Sequence, residues 1–502
     1  MKSNYIYLKK IKIAGLGIIS SILILGIGCT NKFLDVPVQG QQPASQLWRN
    51  ANDAANAVNA IYANLRSWNN VAFAPIAVES VPSDDAAKGS TPSDAAFFLA
   101  YDNFTIDGTQ GQLDGFWTGQ YQNVNLCNQV MDNIPAINMD ANLKARYIGE
   151  AKFVRAYSYF RLARAFGHIP LILKVPVTPA ELNAPQADST AVWNAIETDL
   201  TDAASVLPLT YGPADVGRAT KGAALSLHAK VAMYRKHWPD VLNFTNQVIT
   251  SGVYSLFPNY YQLFRIPNEN NSESVFEIQA NYVGGNSGIS NCQYSQVQGD
   301  RDGIPSPGWG FNVPTQSLVN EFEAGDPRLQ GTVMMSGTTT PSGDIVPPPQ
   351  AGAPSMYNMK SYVPFLLASQ TNQGADQNIR VIRYAEVLLM NAEANNEQGN
   401  AAAALASLEL VRARARSNSA NPATTLPAVT TTDQTALRNA IWHERRVEMG
   451  MEFDRFYDLV RQGRAATVLG PQGFKTGVNE IMPIPQNQID ISGGVLKQNP
   501  GY

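Results

Sequence analysis

Three stretches of this chain repeat one pattern, and it limits the fold more than any other feature. Apolar residues recur at spacings of three and four, so they line one side of a helix. Phe153, Ala156, Phe160 and Ala163 form the stripe within 141–166. Ala224, Leu227, Val231 and Tyr234 form it within 218–236. Pro239 then heads a partner helix running to about Thr250, near the first helical position, where a missing N–H is harmless. Ile382, Ala385, Leu389 and Ala392 make the third stripe, Gly399 and Asn400 turn the chain, and Ala404, Leu408 and Val411 face back. Each pair is a helical hairpin of tetratricopeptide type, about 34 residues long, although no W-x₂-L-G-x₂-Y string occurs. Such hairpins bury their stripes only by stacking on neighbours. The units between 111 and 251 are therefore expected to stack continuously with 379–462.

Further helices are expected over 44–67, 111–133 and 189–206, the last with Ser189 or Thr190 as N-cap. Gly167, followed by Pro170, predicts a left-handed stop to the 141–166 helix. Two regions lose the helical period. Residues 68–110 gain Asn, Pro, Ser and Asp, and residues 252–378 are dense in Gly and Pro, including Pro347–Pro349. Both are expected to be loop-rich, with one strand at Ser274–Ile278. Loop regions this long usually carry function.

The N-terminus adds a different signal. Lys2, Lys9, Lys10 and Lys12 precede an uncharged run from Ile13 to Gly28, and Cys29 follows. A basic start, a short apolar run and a small-residue exit describe a secretory leader, too short to span a bilayer. Cys29 in that place is expected to be the lipidated first residue of a lipoprotein, although Ile27 stands where Ala or Ser is usual. Residues 1–28 would be the signal peptide, 29–43 a lipidated tether, and 44–502 the folded domain. The leader holds four lysines and no acid, so the remainder carries 33 basic and 41 acidic residues, a net charge of −8. An acidic chain is a poor nucleic-acid binder. Cys127 and Cys292 remain, either as a disulfide or as two free thiols.

Catalytic signatures are missing. The four histidines are scattered, and no G-x-S-x-G, H-E-x-x-H or phosphate-loop string occurs. Asp84–Asp85 and Asp300–Asp302 could serve a glycosidase, which needs two carboxyls at fixed separation, but turn-forming or solvated carboxylates are the commoner case. No cofactor is expected. Asp300 and Asp302 make calcium conceivable without EF-hand spacing to support it. The segment 437–461 crowds Glu444, Arg445, Arg446, Glu448, Glu452, Asp454, Arg455, Asp458 and Arg461. We expect one helix there, with i,i+3 pairs Arg445–Glu448, Glu452–Arg455 and Asp458–Arg461, locking it to its neighbours rather than binding an anion.

The loops hold aromatics beside amides and charges: Trp68, Phe73 and Tyr101 in the first region, Tyr282, Tyr294, Trp309 and Phe311 in the second. An aromatic ring packs on the apolar face of a pyranose while amide and charged groups bond its hydroxyl rim. Trp68, Asp84, Tyr101, Tyr282, Tyr294, Arg301, Asp302 and Trp309 are the candidate ligand contacts. For each single aromatic, loop core is the alternative role.

A series of strings resembles one family throughout. They are Lys32-Phe33-Leu34-Asp35 after Cys29, Glu150-Ala151-Lys152-Phe153-Val154-Arg155-Ala156-Tyr157, and Phe166-Gly167-His168-Ile169-Pro170-Leu171. Arg383-Tyr384-Ala385-Glu386, Glu444-Arg445-Arg446-Val447-Glu448, Asp454-Arg455-Phe456-Tyr457-Asp458-Leu459, Pro483-Ile484-Pro485 and the ending Gln498-Asn499-Pro500-Gly501-Tyr502 complete the series. In that order they resemble the SusD/RagB outer-membrane nutrient-binding lipoproteins of Bacteroidota. The resemblance implies an all-α superhelix of four tetratricopeptide-like hairpins carrying a loop-rich ligand face. It implies a non-catalytic lipoprotein at the cell surface, anchored in the outer membrane. There it would capture oligosaccharides and act as a lid on a SusC-like TonB-dependent transporter. Thr30, Asn31 and Lys32 depart from the acidic run that often follows the cysteine in surface lipoproteins of this group. A RagB-like role in peptide uptake keeps the same architecture. A protein-interaction scaffold and a glycoside hydrolase are the readings from other classes.

Overall fold

The computed structural model describes residues 47–281, 292–301, 308–349, 351–367 and 377–502. The expected signal peptide (1–28), Cys29 and the expected tether (29–43) lie outside them. The long helices are α1 (Ala51–Leu65), α2 (Gly111–Asn133), α3 (Ala141–Phe166), α4 (Ser189–Val206), α5 (Lys221–Tyr234) and α6 (Trp238–Thr250). After an insert come α7 (Tyr384–Glu397), α8 (Ala401–Ser417), α9 (Gln434–Met449) and α10 (Arg455–Arg461). Each of α1 to α8 packs on the next, including α6 on α7 across the insert, and α7 also packs on α9. The helical hairpins thus form one all-α stack, as the stripes predicted.

Local chemistry starts and stops these helices. Asp140 caps α3 by accepting the Leu143 N–H, and Thr220 caps α5 by accepting the Ala223 N–H. Asp188 caps α4, one residue before the expected Ser189. Gly167 ends α3 at φ +71°, where a side chain would be strained. The α3 stripe is buried, with Phe153, Ala156 and Phe160 essentially out of solvent. One expectation fails at the third stripe. Ile382 belongs to a strand, and the helix begins two residues later at Tyr384, because this segment pairs with the insert.

Six short strands appear among the described residues: β1 (Ala86–Gly89), β2 (Ser274–Ile278), β3 (Phe311–Pro314), β4 (Val333–Met335), β5 (Met356–Asn358) and β6 (Ile379–Arg383). They pair antiparallel as β1–β3, β2–β6 and β4–β5. The β2–β6 ladder, from Ser274↔Arg383 to Ile278↔Ile379, closes the base of the insert. The Phe276 ring on β2 meets Phe153 of α3 edge-on, with ring centres 4.8 Å apart. The region 68–110 corrects the loop expectation. It folds into short helical turns at Trp68–Val71, Phe73–Pro75, Ile76–Ser80 and Ala96–Asp102, with Ile76, Ala77, Val78 and Val81 fully buried. Turns this short show no helical period to read.

Buried ion pairs join the insert to the stack. Arg383 is fully buried and bonds Glu273 at 2.6 Å, Glu448 at 2.9 Å and Glu452 at 2.7 Å. Arg414 bonds Glu273 at 2.8 Å and Glu448 at 2.5 Å. From the insert, Arg328 reaches Glu444 at 2.5 Å and Glu448 at 3.2 Å. Asp454 accepts from Arg164 of α3 at 2.9 Å and Lys230 of α5 at 2.5 Å. The single helix expected over 437–461 is corrected: α9 stops at Met449, and Met451 and Phe453 turn the chain at φ +67° and +70°. Asp458–Arg461 forms the expected i,i+3 pair at 2.7 Å. Arg445 instead bonds Asp458 and Glu386, and Arg455 bonds Asp84. Arg445, Arg446, Arg455 and Arg461 all hold carboxylate partners, so the segment is the expected lock rather than an anion site.

Cys127 and Cys292 are buried free thiols, and burial raises the pKa of both, to about 12 for Cys292. Among the described residues, no helix is long and apolar enough to cross a membrane.

Candidate functional site

The β1–β3 ladder brings the two aromatic regions together. Gly89 pairs with Phe311, and the Ser90 N–H donates to the Gly310 carbonyl at 2.6 Å. The strands approach so closely that a Cβ on Gly89 would lie 2.3 Å from that carbonyl oxygen. Trp309 sits on a pinned loop. Its backbone N–H donates to the Gln296 carbonyl, and the flanking Gly308 and Gly310 N–H groups donate to the Asp300 and Gly299 carbonyls, all between 2.8 and 2.9 Å.

The result is a continuous aromatic patch. Trp68 and Trp309 rings lie 5.9 Å apart, and Phe73 contacts both, at 5.1 and 5.6 Å. Phe98 and Phe311 floor the patch, each about 5 Å from Phe73. The floor is buried, whereas Trp68 is 38% exposed, Phe97 is 45% exposed, and Trp309 is partly exposed. Rings in such tilted and edge-on contacts hold one another rigidly. The outermost ones keep surface for a ligand.

A polar group borders the rings. Arg301 donates to Ser90 Oγ and Asp94 Oδ2, each at 2.6 Å, and to the Trp309 carbonyl at 3.2 Å. The Ser90 hydroxyl also donates to Asp94 at 2.7 Å. Partial burial raises the Asp94 carboxyl, but Ser90 and Arg301 outweigh it and hold the pKa below the usual range. Ser90 and Ala95 adopt φ +54° and +45°, and Gly89 and Gly310 are also left-handed. Strained backbone of this kind gathers at functional sites. Behind β1, burial pushes the Asp102 carboxyl up to about 7, despite the Lys88 N–H it accepts.

The eight candidate contacts separate. Trp68, Trp309 and Arg301 share the patch. Tyr101 and Tyr294 are corrections: both are buried, Tyr101 against Phe98 and Tyr294 facing Phe453, so neither offers an exposed ring beside Trp68 and Trp309. Asp84 is also corrected. It is buried in ion pairs with Arg455 at 2.7 Å and Arg446 at 2.8 Å. Burial raises its pKa, but the two guanidiniums more than reverse that and hold it low. Tyr282 and Asp302 lie outside the described residues. Phe97, Ser90 and Asp94 escaped sequence reasoning; their signal, a Ser-x₃-Asp turn beside Phe-Phe, is too common to single out. No group of three or more His, Cys, Asp or Glu among the described residues is placed to hold a metal ion.

Comparison with known proteins gives a consistent result. Residues 272–502 match a family model described as "SusD family", and residues 32–233 match one described as "Starch-binding associating with outer membrane". "SusD-like protein P2" of Formosa agariphila is 29% identical over 429 residues, covering 80% of this chain and 83% of the relative. A "SusD-like protein" of Bacteroides ovatus is 26% identical over 492 residues, covering 88% and 81%. A solved "Laminarin binding SusD-like protein" superposes with TM-score 0.78 at 29% identity, covering 91% of this chain and all of that one. "Surface glycan-binding protein A from Bacteroides thetaiotaomicron in complex with laminarihexaose" superposes with TM-score 0.76, covering 90% and 99%; at 22% identity this is a likeness of fold.

Proposed function

The chain belongs to the SusD family, and from that premise we propose that it is a glycan-binding protein whose ligand lies across the Trp68–Trp309 patch. The observation that carries this is the meeting of two tryptophans from distant segments, partly exposed and bordered by the Asp94–Arg301–Ser90 group. The rings suit the apolar faces of consecutive pyranoses, and the polar group suits their hydroxyls. The neighbour at 29% identity is described as laminarin-binding, which makes a neutral glucan of that kind the first ligand to test. The solved neighbours above are described as binding proteins, and this chain acts by binding rather than by catalysis. Its Asp84–Asp85 pair is engaged by Arg446 and Arg455.

In this proposal the lipid on Cys29 anchors the protein in the outer membrane, and the folded domain passes its oligosaccharide, as a lid, to a SusC-like TonB-dependent transporter. The family model's association with the outer membrane supports the location. Affinity electrophoresis in laminarin gels tests the ligand face. Trp309→Ala and Trp68→Ala are each expected to weaken retention about tenfold, in line with a lost stacking contact of ~1.4 kcal/mol. Unaltered retention in both variants overturns the assignment, and co-purified peptides detected by mass spectrometry would favour peptide uptake.

A further inference from the structure

A second hollow, of about 270 Å³, opens between the α4–α5 connection and the approach to β2. It shares no residue with the aromatic patch and falls just below the ~300–1,000 Å³ typical of small-molecule sites. Tyr211 and Tyr254 supply rings, and Thr210, Asn271 and Ser272 supply hydroxyl and amide groups. Its charges are neutralised from within. Arg218 bonds Glu150 at 2.9 Å and Asp215 at 2.7 Å, and Glu277 faces Arg380 at 3.3 Å. A lining with rings, hydroxyls, amides and balanced charge disfavours an anion and suits an uncharged polyol.

The lining is preformed. Gly222 sits in the first turn of α5. Its lack of a side chain seats Tyr254: a Cβ there would fall 2.4 Å from the phenol oxygen. That oxygen lies 2.9 Å from Thr220 Oγ1, which fixes the ring further. Also in the lining, Gly217 at φ +91° leaves room for Gln279 behind it, which a Cβ would meet at 2.3 Å. Gln279 and Asn270 exchange two amide hydrogen bonds, at 2.9 and 3.0 Å. A cavity held open in this way binds without first ordering its walls.

We propose that this cavity is a second saccharide site, holding one neutral sugar unit or chain end apart from the Trp68–Trp309 patch. The inference rests on the glycan reading above. Calorimetric titration of the mature chain with laminarihexaose tests it. Wild type is expected to take up a second, weaker equivalent, and Trp68→Ala/Trp309→Ala to keep that equivalent alone. Val216→Phe, at a half-exposed position on the rim, is expected to fill the cavity and remove the weaker equivalent, leaving the tighter affinity within about twofold. Gly222→Ala, which displaces Tyr254, is expected to weaken it about tenfold, with far-UV circular dichroism confirming the fold. Two outcomes overturn the second site while leaving the patch standing: a double tryptophan variant that binds nothing, or a weaker equivalent that survives both cavity variants. No binding by wild type overturns the glucan reading and the second site together.

Discussion

At the scale of the residue, burial decides what each side chain can do. His228 shows this through pH. Its ring stacks on Phe244 with centres 3.9 Å apart. Burial lowers its pKa to about 4, against the smaller opposing pull of Glu197 and Asp240. An unfolded chain takes up that proton near pH 6.5, so the folded state is penalised as pH falls from about 6.5 to 4. The contribution is at most about 3 kcal/mol. His228→Gln is expected to flatten the decline in stability between pH 7 and 4.5 relative to wild type, by urea denaturation at both pH values. An unchanged difference would mean that His228 titrates normally in the fold. Burial likewise separates Trp68 and Trp309 from Tyr101 and Tyr294, which look equivalent in a list of loop aromatics.

At the scale of the element, a helix of several turns announces itself by the spacing of its apolar residues, and a single turn does not. The α8 stripe has solvent on its far side to sharpen the period of 3.6, whereas α3 and α7 are buried almost all round and were legible through length and spacing. The turns from Trp68 to Ser80 are each too short to show a period. The α9–α10 break was hidden for another reason. Gly450 is its local signal, and the turn places Glu448 and Glu452 together on Arg383 and Asp454 on Arg164 and Lys230. Glu448 measures how strongly those contacts hold the turn. Burial alone would raise its pKa, but Arg414, Arg383 and Arg328 hold it well below the usual carboxylate range. Glu448→Gln leaves three buried guanidiniums short of one charge and is expected to cost about 3–5 kcal/mol, read as a lowered midpoint in chemical denaturation. A loss under 1 kcal/mol would show that the network relaxes freely.

At the scale of the whole molecule, the hairpins form a frame, and the insert between α6 and α7 carries Trp309 and Arg301 of the proposed ligand face. The stack needs α6 against α7 to stay continuous, so the insert must leave and return at one place, and the β2–β6 ladder makes that closure. In the proposed function the frame is tethered through Cys29. Cys29→Ala is then expected to leave laminarin affinity unchanged while moving the protein out of the outer-membrane fraction, as followed by cell fractionation. Retention in the membrane would remove the lipid from the proposal.

The amino-acid sequence alone determined the helical hairpins, their order and the family, because helical period, caps and short strings are properties of neighbouring residues. It also bounded the proposed site to two aromatic-rich regions. Tertiary structure decided which of those aromatics share a face, which carboxylates are locked in ion pairs, and that 70–90 is packed rather than loose. Those outcomes depend on contacts between residues far apart along the chain, such as Trp68 with Trp309 and Asp84 with Arg455. Such contacts leave no period in the local pattern.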